Sequence, residues 1–70
     1  MKYSIVIEKA GNNFSAYSPD VPGCVATGLN INEVKENLKN ALEFHLKGLK
    51  EDGLPVPESE SEVDYLTVSI

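Results

Sequence analysis

Cys24-Val25-Ala26-Thr27-Gly28-Leu29-Asn30-Ile31-Asn32-Glu33-Val34 is the stretch in which the chain changes its period. Cys24 to Thr27 is a short strand-like run, whereas beyond Gly28 the apolar residues fall at Ile31, Val34, Leu38, Ala41, Leu42, Leu46 and Leu49, the spacing of one helix face. Asn30 stands at the N-cap position, and Glu33, three residues on, is placed to reach back as a capping-box partner. The spacing predicts one helix from Ile31 to about Glu51, about 30 Å long and able to cross a small sheet. Gly53 fits the C′ position, and Pro55 and Pro57 forbid continuation.

Upstream of this point the period is two. Tyr3, Ile5 and Ile7 alternate with Ser4, Val6 and Glu8, which predicts a first strand with one apolar face. Gly11-Asn12-Asn13 supplies turn residues before the second short run, Phe14 to Tyr17, so the two runs read as a hairpin. Ser18-Pro19-Asp20-Val21-Pro22-Gly23 holds two prolines and a glycine and predicts an ordered, irregular loop leading into strand three. Downstream, Glu58, Glu60 and Glu62 alternate with Ser59 and Ser61 in a polar connector, and Leu66, Val68 and Ile70 alternate with Tyr65, Thr67 and Ser69 as a last strand. The expected fold class is α+β, in the order βββαβ, with one long helix packed on a short mixed sheet. The last strand could return beside strand one, parallel to it, or at the other edge.

Seventy residues make one domain, and a chain of this size buries only about 60% of the surface that its unfolded form exposes. Further stability must come from disulfides, a metal, self-association or a partner. The single Cys24 excludes an internal disulfide and a multi-cysteine zinc site. Eleven acidic against six basic residues give a net charge of −5, which argues against nucleic acid as a direct ligand and toward a basic protein. No apolar run approaches the roughly 20 residues of a membrane-spanning helix, and Met1-Lys2 leads straight into a strand pattern, so the chain is read as cytoplasmic. No cofactor is expected.

Tyr17-Ser18-Pro19-Asp20-Val21-Pro22-Gly23-Cys24, followed by Thr27-Gly28, resembles the signature loop of the HicB antitoxins. There an aromatic strand end, Pro-Asp, Pro-Gly-Cys and a glycine before the helix recur in this order. Glu33, Ala41, Leu42, His45, Leu46, Gly48 and Leu49, then Glu51-Asp52-Gly53, Pro55 and Pro57, are similar to the family's helix and its exit, so the resemblance spans nearly the whole chain. It implies a partial RNase H-like fold that binds a HicA toxin, a small basic RNA-binding ribonuclease, and blocks its active-site face. Many HicB proteins add a C-terminal DNA-binding module; here the last strand is followed by nothing, and a single HicB-like domain over residues 1–70 is expected, without DNA binding of its own.

Each candidate site has a competing reading. A nuclease would need carboxylates converging on two metals about 3.5 to 4 Å apart, but Ser4-Ile5-Val6-Ile7 offers none, and Glu8, Asp20 and Asp52 are scattered. His45, at helical spacing with Ala41, Leu42 and Leu49, reads as a packed or interface histidine rather than a catalytic one. Cys24 needs a base beside it to act as a nucleophile and reads as a half-buried strand residue. Two prolines stiffen the Pro19–Gly23 loop whether it turns the sheet or presents Asp20 and Val21 to a partner; on the second reading Tyr17, Pro19, Asp20, Val21, Pro22 and Gly23 are the toxin-contact candidates. Glu58, Glu60 and Glu62 are a solvated loop or a means of steering a basic partner. Phe44, off the apolar stripe, and Tyr65, on the outer parity of the last strand, are single surface aromatics or part of a self-association surface. A homodimer or higher oligomer is expected, because the core is small and an edge strand needs cover.

The leading expectation is therefore a non-enzymatic antitoxin of a HicA-type toxin. The alternatives are a degenerate RNase H-like metal-dependent nuclease and an orphan interaction module.

Overall fold

The computed structural model describes residues 1–70. Three strands precede one helix: β1 Val6–Ala10, β2 Asn13–Tyr17, β3 Val25–Gly28 and α1 Ile31–Glu51. The strands form one sheet in the order β1-β2-β3, antiparallel throughout. Pairing of Ile7 with Ala16 and of Ala16 with Ala26 puts small side chains on the inner face. The helix lies over β3 and β2 and closes a core of Ala16, Val21, Cys24, Val34, Leu38 and Leu42. The α+β class and the three leading strands thus follow the sequence pattern, with the sheet antiparallel rather than mixed.

Strand one begins at Val6 rather than Tyr3, because the ladder ends at the Val6–Tyr17 pair. Beyond Tyr17 the partner chain turns away through Ser18-Pro19, and proline has no N–H to continue the ladder. Tyr3 and Ile5 nonetheless pack against the core with Ile7, so the expected apolar face is kept without the strand hydrogen bonds.

The helix is capped as its ends require. Asn30 is extended, and its side chain accepts a hydrogen bond from the Glu33 N–H at 2.8 Å. The Glu33 carboxylate accepts from the Leu29 N–H at 3.2 Å, one residue beyond the N-cap N–H of a standard capping box. At the other end the Leu54 N–H donates to the Leu49 carbonyl and the Gly53 N–H to the Lys50 carbonyl, the paired bonds of a Schellman stop. Gly53 takes φ +70°, the left-handed conformation that this stop demands.

The last strand does not form in the single chain. Residues 55–70 carry no regular structure, and Leu66, Val68 and Ile70 are 91%, 73% and fully exposed. The connector explains this. The Tyr3 hydroxyl donates to the Pro57 carbonyl, and Asp20 holds Ser61, so the connector runs past the N-terminal segment and the loop end of the sheet, and residues 62–70 follow it unpaired. The radius of gyration of 13.9 Å exceeds the about 11 Å of a compact chain of this length, as a departing tail requires.

Candidate functional site

The loop between β2 and β3 is built on inward anchors three residues apart. Ser18, Val21 and Cys24 are buried, and between them Pro19, Pro22 and Gly23 stay exposed. The Val21 N–H donates to the Ser18 carbonyl at 3.2 Å, closing a turn with Pro19 and Asp20 at its centre, proline standing at the position that its fixed φ favours. Gly23 takes φ +84° directly after Pro22, so a second reversal needs a residue without Cβ. Val21 is only 1% exposed and belongs to the core. Of the six loop candidates it is thus the one turned away from any partner: its isopropyl group fills the space under the helix and fixes the loop from below.

Asp20 is held by the chain's own connector. Its carboxylate accepts from the Ser61 hydroxyl at 2.7 Å, the Ser61 N–H at 3.1 Å and the Glu60 N–H at 3.2 Å. These bonds, led by the Ser61 hydroxyl, favour the ionised form and hold the carboxyl below its ordinary 3.8. Asp20 therefore ties the acidic connector to the loop.

Next to the loop, the sheet register assembles something that the sequence reading missed. Val6 pairs with Tyr17 and Tyr17 with Val25. Their neighbours Ala16 and Ala26 face the helix, so this row lies on the open face. Tyr17 and Val25 are 38% and 63% exposed. An apolar row therefore continues into Pro19 and Pro22. Each strand taken alone shows only one large apolar residue of outward parity, and the row appears once the register is known.

A second apolar feature lies on the other side of the sheet. Because the helix covers β3 and β2, a groove of about 790 Å³ opens between its flank and the N-terminal segment, floored by Tyr3, Ile5, Leu38, Leu42 and Leu46. Two further details hold the helix in place: the Asn37 amide donates to the Thr27 carbonyl at 2.8 Å, and Gly28 lies directly under the first helical turn.

The remaining candidates are dispersed. Phe44 is 84% exposed on the outer face of α1, in a shallow hollow with Lys47, Gly48 and Glu51, whereas Tyr65 lies in the tail and does not line it. His45 is exposed, which removes the packed alternative of its reading and leaves it on the surface, while Leu42 and Leu46 point inward. Cys24 is buried and unpaired. Glu8 lies exposed on β1, Asp20 is tied to Ser61 and Asp52 caps the helix, and no group of three His, Cys, Asp or Glu side chains comes together to hold a metal.

Helix on antiparallel sheet, a loop stiffened by two prolines and an open apolar row define a small α+β module of the kind that offers a preformed surface. The chain belongs to the family described as the HicB-like antitoxin of bacterial toxin-antitoxin systems, whose model matches residues 3–69. It is 38% identical over 66 residues to an uncharacterized 14.9 kDa protein from the rep-hol intergenic region of Haemophilus phage HP1, covering 94% of this chain and 50% of the phage protein. The chain therefore spans about half the length of that relative. A UPF0150 protein of Helicobacter pylori is 35% identical over 63 residues, covering 90% of this chain and 88% of the relative. Among solved structures, a chain of the HicA3 and HicB3 toxin-antitoxin complex superposes with a TM-score of 0.71 at 30% identity, over 86% of this chain and 70% of that one. No helix is long and apolar enough to cross a membrane.

Proposed function

We propose that this chain is the antitoxin of a HicA-type ribonuclease toxin, which it binds and neutralises by covering the toxin's RNA-binding and active-site face, without catalysis of its own. The observation that carries this reading is the likeness to a chain of the HicA3 and HicB3 complex. The open face supports it physically. Tyr17, Val25 and Val6, continued by Pro19, Pro22 and Gly23, offer an apolar contact whose backbone is fixed before binding, so little ordering entropy is lost. Asp20 lies at its edge, and Val21 contributes from beneath. A net charge of −5 suits a basic partner and disfavours direct nucleic-acid binding. In this reading residues 1–70 act as one HicB-like unit of partial RNase H-like type in the cytoplasm, self-associated as a homodimer or higher oligomer.

The test is co-expression with the product of the adjacent short reading frame. Co-purification and relief of growth arrest are expected. Tyr17→Ala and Val25→Asp should each weaken the complex by about tenfold or more, as truncation of a central aromatic anchor does, while Phe44→Ala leaves it intact. A pair that neither co-purifies nor relieves the arrest overturns the proposal.

A further inference from the structure

The free side of β3 carries backbone groups that the helix itself occupies. Ala10 pairs with Asn13 across the two-residue turn Gly11-Asn12, so this pair exchanges hydrogen bonds. Alternation along the ladder then gives the bonds of β1 to Val6, Glu8 and Ala10, and turns the N–H and C=O groups of Phe14 and Ala16 toward Gly28 and Ala26. Val25, Thr27 and, one step past the strand, Leu29 therefore aim their backbone groups outward. Two of these groups are taken by side chains of α1. The Asn37 amide donates to the Thr27 carbonyl at 2.8 Å, and the Glu33 carboxylate accepts from the Leu29 N–H at 3.2 Å. Glu33 and Asn37 are four residues apart on one flank of the helix, each standing one residue before an inward anchor, Val34 and Leu38. The edge needs such cover. No charged residue lies between Asp20 and Glu33, and Val25 and Leu29 are 63% and 68% exposed. An uncharged edge with exposed apolar side chains recruits a strand from another chain unless something blunts it.

We propose that Glu33 and Asn37 seal the β3 edge against strand addition, so that a partner meets this end of the sheet through side chains rather than through backbone pairing. An added strand would need the Thr27 carbonyl and the Leu29 N–H, consecutive outward groups of that edge, and both are already bonded within the chain. Only the Val25 groups and the Thr27 N–H stay open, too short a run to hold a strand. The seal also accounts for the displaced capping box: the Glu33 carboxylate serves the edge residue Leu29 instead of the N-cap N–H. What remains accessible is the open face beside the edge, where Tyr17 and Val25 lie. The partner that fits it is a folded surface shaped to those side chains, not an extended peptide that adds a strand. This last consequence alone rests on the proposed function, in which that face receives the toxin. The seal is a property of the single chain.

Amide hydrogen exchange tests the bonds, and sedimentation velocity tests their effect. Relative to its intrinsic rate, the Leu29 amide should exchange about tenfold or more slowly than the outward Thr27 amide in the wild type, as a bond to a charged acceptor implies. Glu33→Gln, whose side-chain carbonyl still accepts, should keep this protection, and Glu33→Ala should lose it. In the full chain carrying both Glu33→Ala and Asn37→Ala, assemblies beyond the wild-type mass should appear and grow with concentration, at unchanged helical circular dichroism. Adding Thr27→Pro should return that variant to the wild-type mass, because the Thr27 N–H points off the edge and proline cannot donate to an added strand. A wild-type Leu29 amide that exchanges as fast as that of Thr27, an unsealed variant that keeps the wild-type mass, or assembly that survives Thr27→Pro each overturns the seal. None of these measurements contains the toxin, so their failure is distinct from failure of the proposed function.

Discussion

Gly28 shows how one residue sets the distance between sheet and helix. A Cβ built there would lie 2.6 Å from the Val34 nitrogen and 2.8 Å from its Cα. Both are backbone atoms of the first helical turn and cannot rotate away. The requirement is close approach rather than a left-handed backbone, and it explains why a glycine precedes the helix in the motif that the sequence resembles. Gly28→Ala is expected to destabilise the domain by about 1–3 kcal/mol, the cost typical of overpacking, read as a lowered midpoint in urea with an unchanged slope. Ser18 is the opposite kind of residue: its hydroxyl is buried without a protein partner. It occupies an anchor position of the loop, so its burial follows from the loop's path.

Among the elements, those with a local signal were legible in the sequence, and those that depend on a distant partner were not. The helix is bounded by Asn30 and Gly53, whose chemistry is local, and both ends fall where those residues predict. The first strand was read three residues too long, because Tyr3 and Ile5 carry the right apolar parity but face no ladder beyond Tyr17. The last strand has as clear an alternation as the first and yet stands unpaired, with Leu66, Val68 and Ile70 exposed, since alternation marks a strand face but not the edge that must pair with it. The outer row of Val6, Tyr17 and Val25 was likewise invisible, being a property of register. The connector is tied to the loop by Asp20, whose lowered pKa sets its pH response. Hydrogen bonds to the ionised form stabilise the clamp at pH values above the ordinary 3.8, and this contribution is lost as pH falls through the lower folded value. The amide resonances of Glu60 and Ser61 are therefore expected to move together toward unstructured shifts in acid, with a midpoint below 3.8. In Asp20→Asn they should start near those shifts at neutral pH and show no such step; a step that survives the substitution would assign the transition to another carboxylate.

At the scale of the whole molecule, only 8 of 70 residues are buried, so the domain has little interior with which to resist unfolding and much surface with which to associate. Its apolar surface is divided between two sides of one sheet. The groove beside β1 is lined by Tyr3, Ile5 and Leu46, and the row beside the proline loop is the surface that the proposed function assigns to the toxin. Under the proposed function, charge acts on the approach of a basic partner rather than on its final contact. Glu58, Glu60 and Glu62 are exposed, and Asp20 holds the connector that carries them beside the loop. Attraction between exposed charges and a basic partner is screened beyond about 8 Å at physiological salt, so it accelerates encounter more than it prolongs the complex. Replacing all three glutamates by glutamine is expected to lower the association rate by about tenfold at low ionic strength and to flatten its dependence on salt. The dissociation rate should change by less than about twofold, since rim charges act mainly on encounter. Stopped-flow mixing of antitoxin with a catalytically inactive toxin from 20 mM to 500 mM salt, about the range over which screening becomes complete, separates the two rates. An unchanged association rate would make the connector a solvated tether and no more, whereas a faster dissociation would place the glutamates inside the interface.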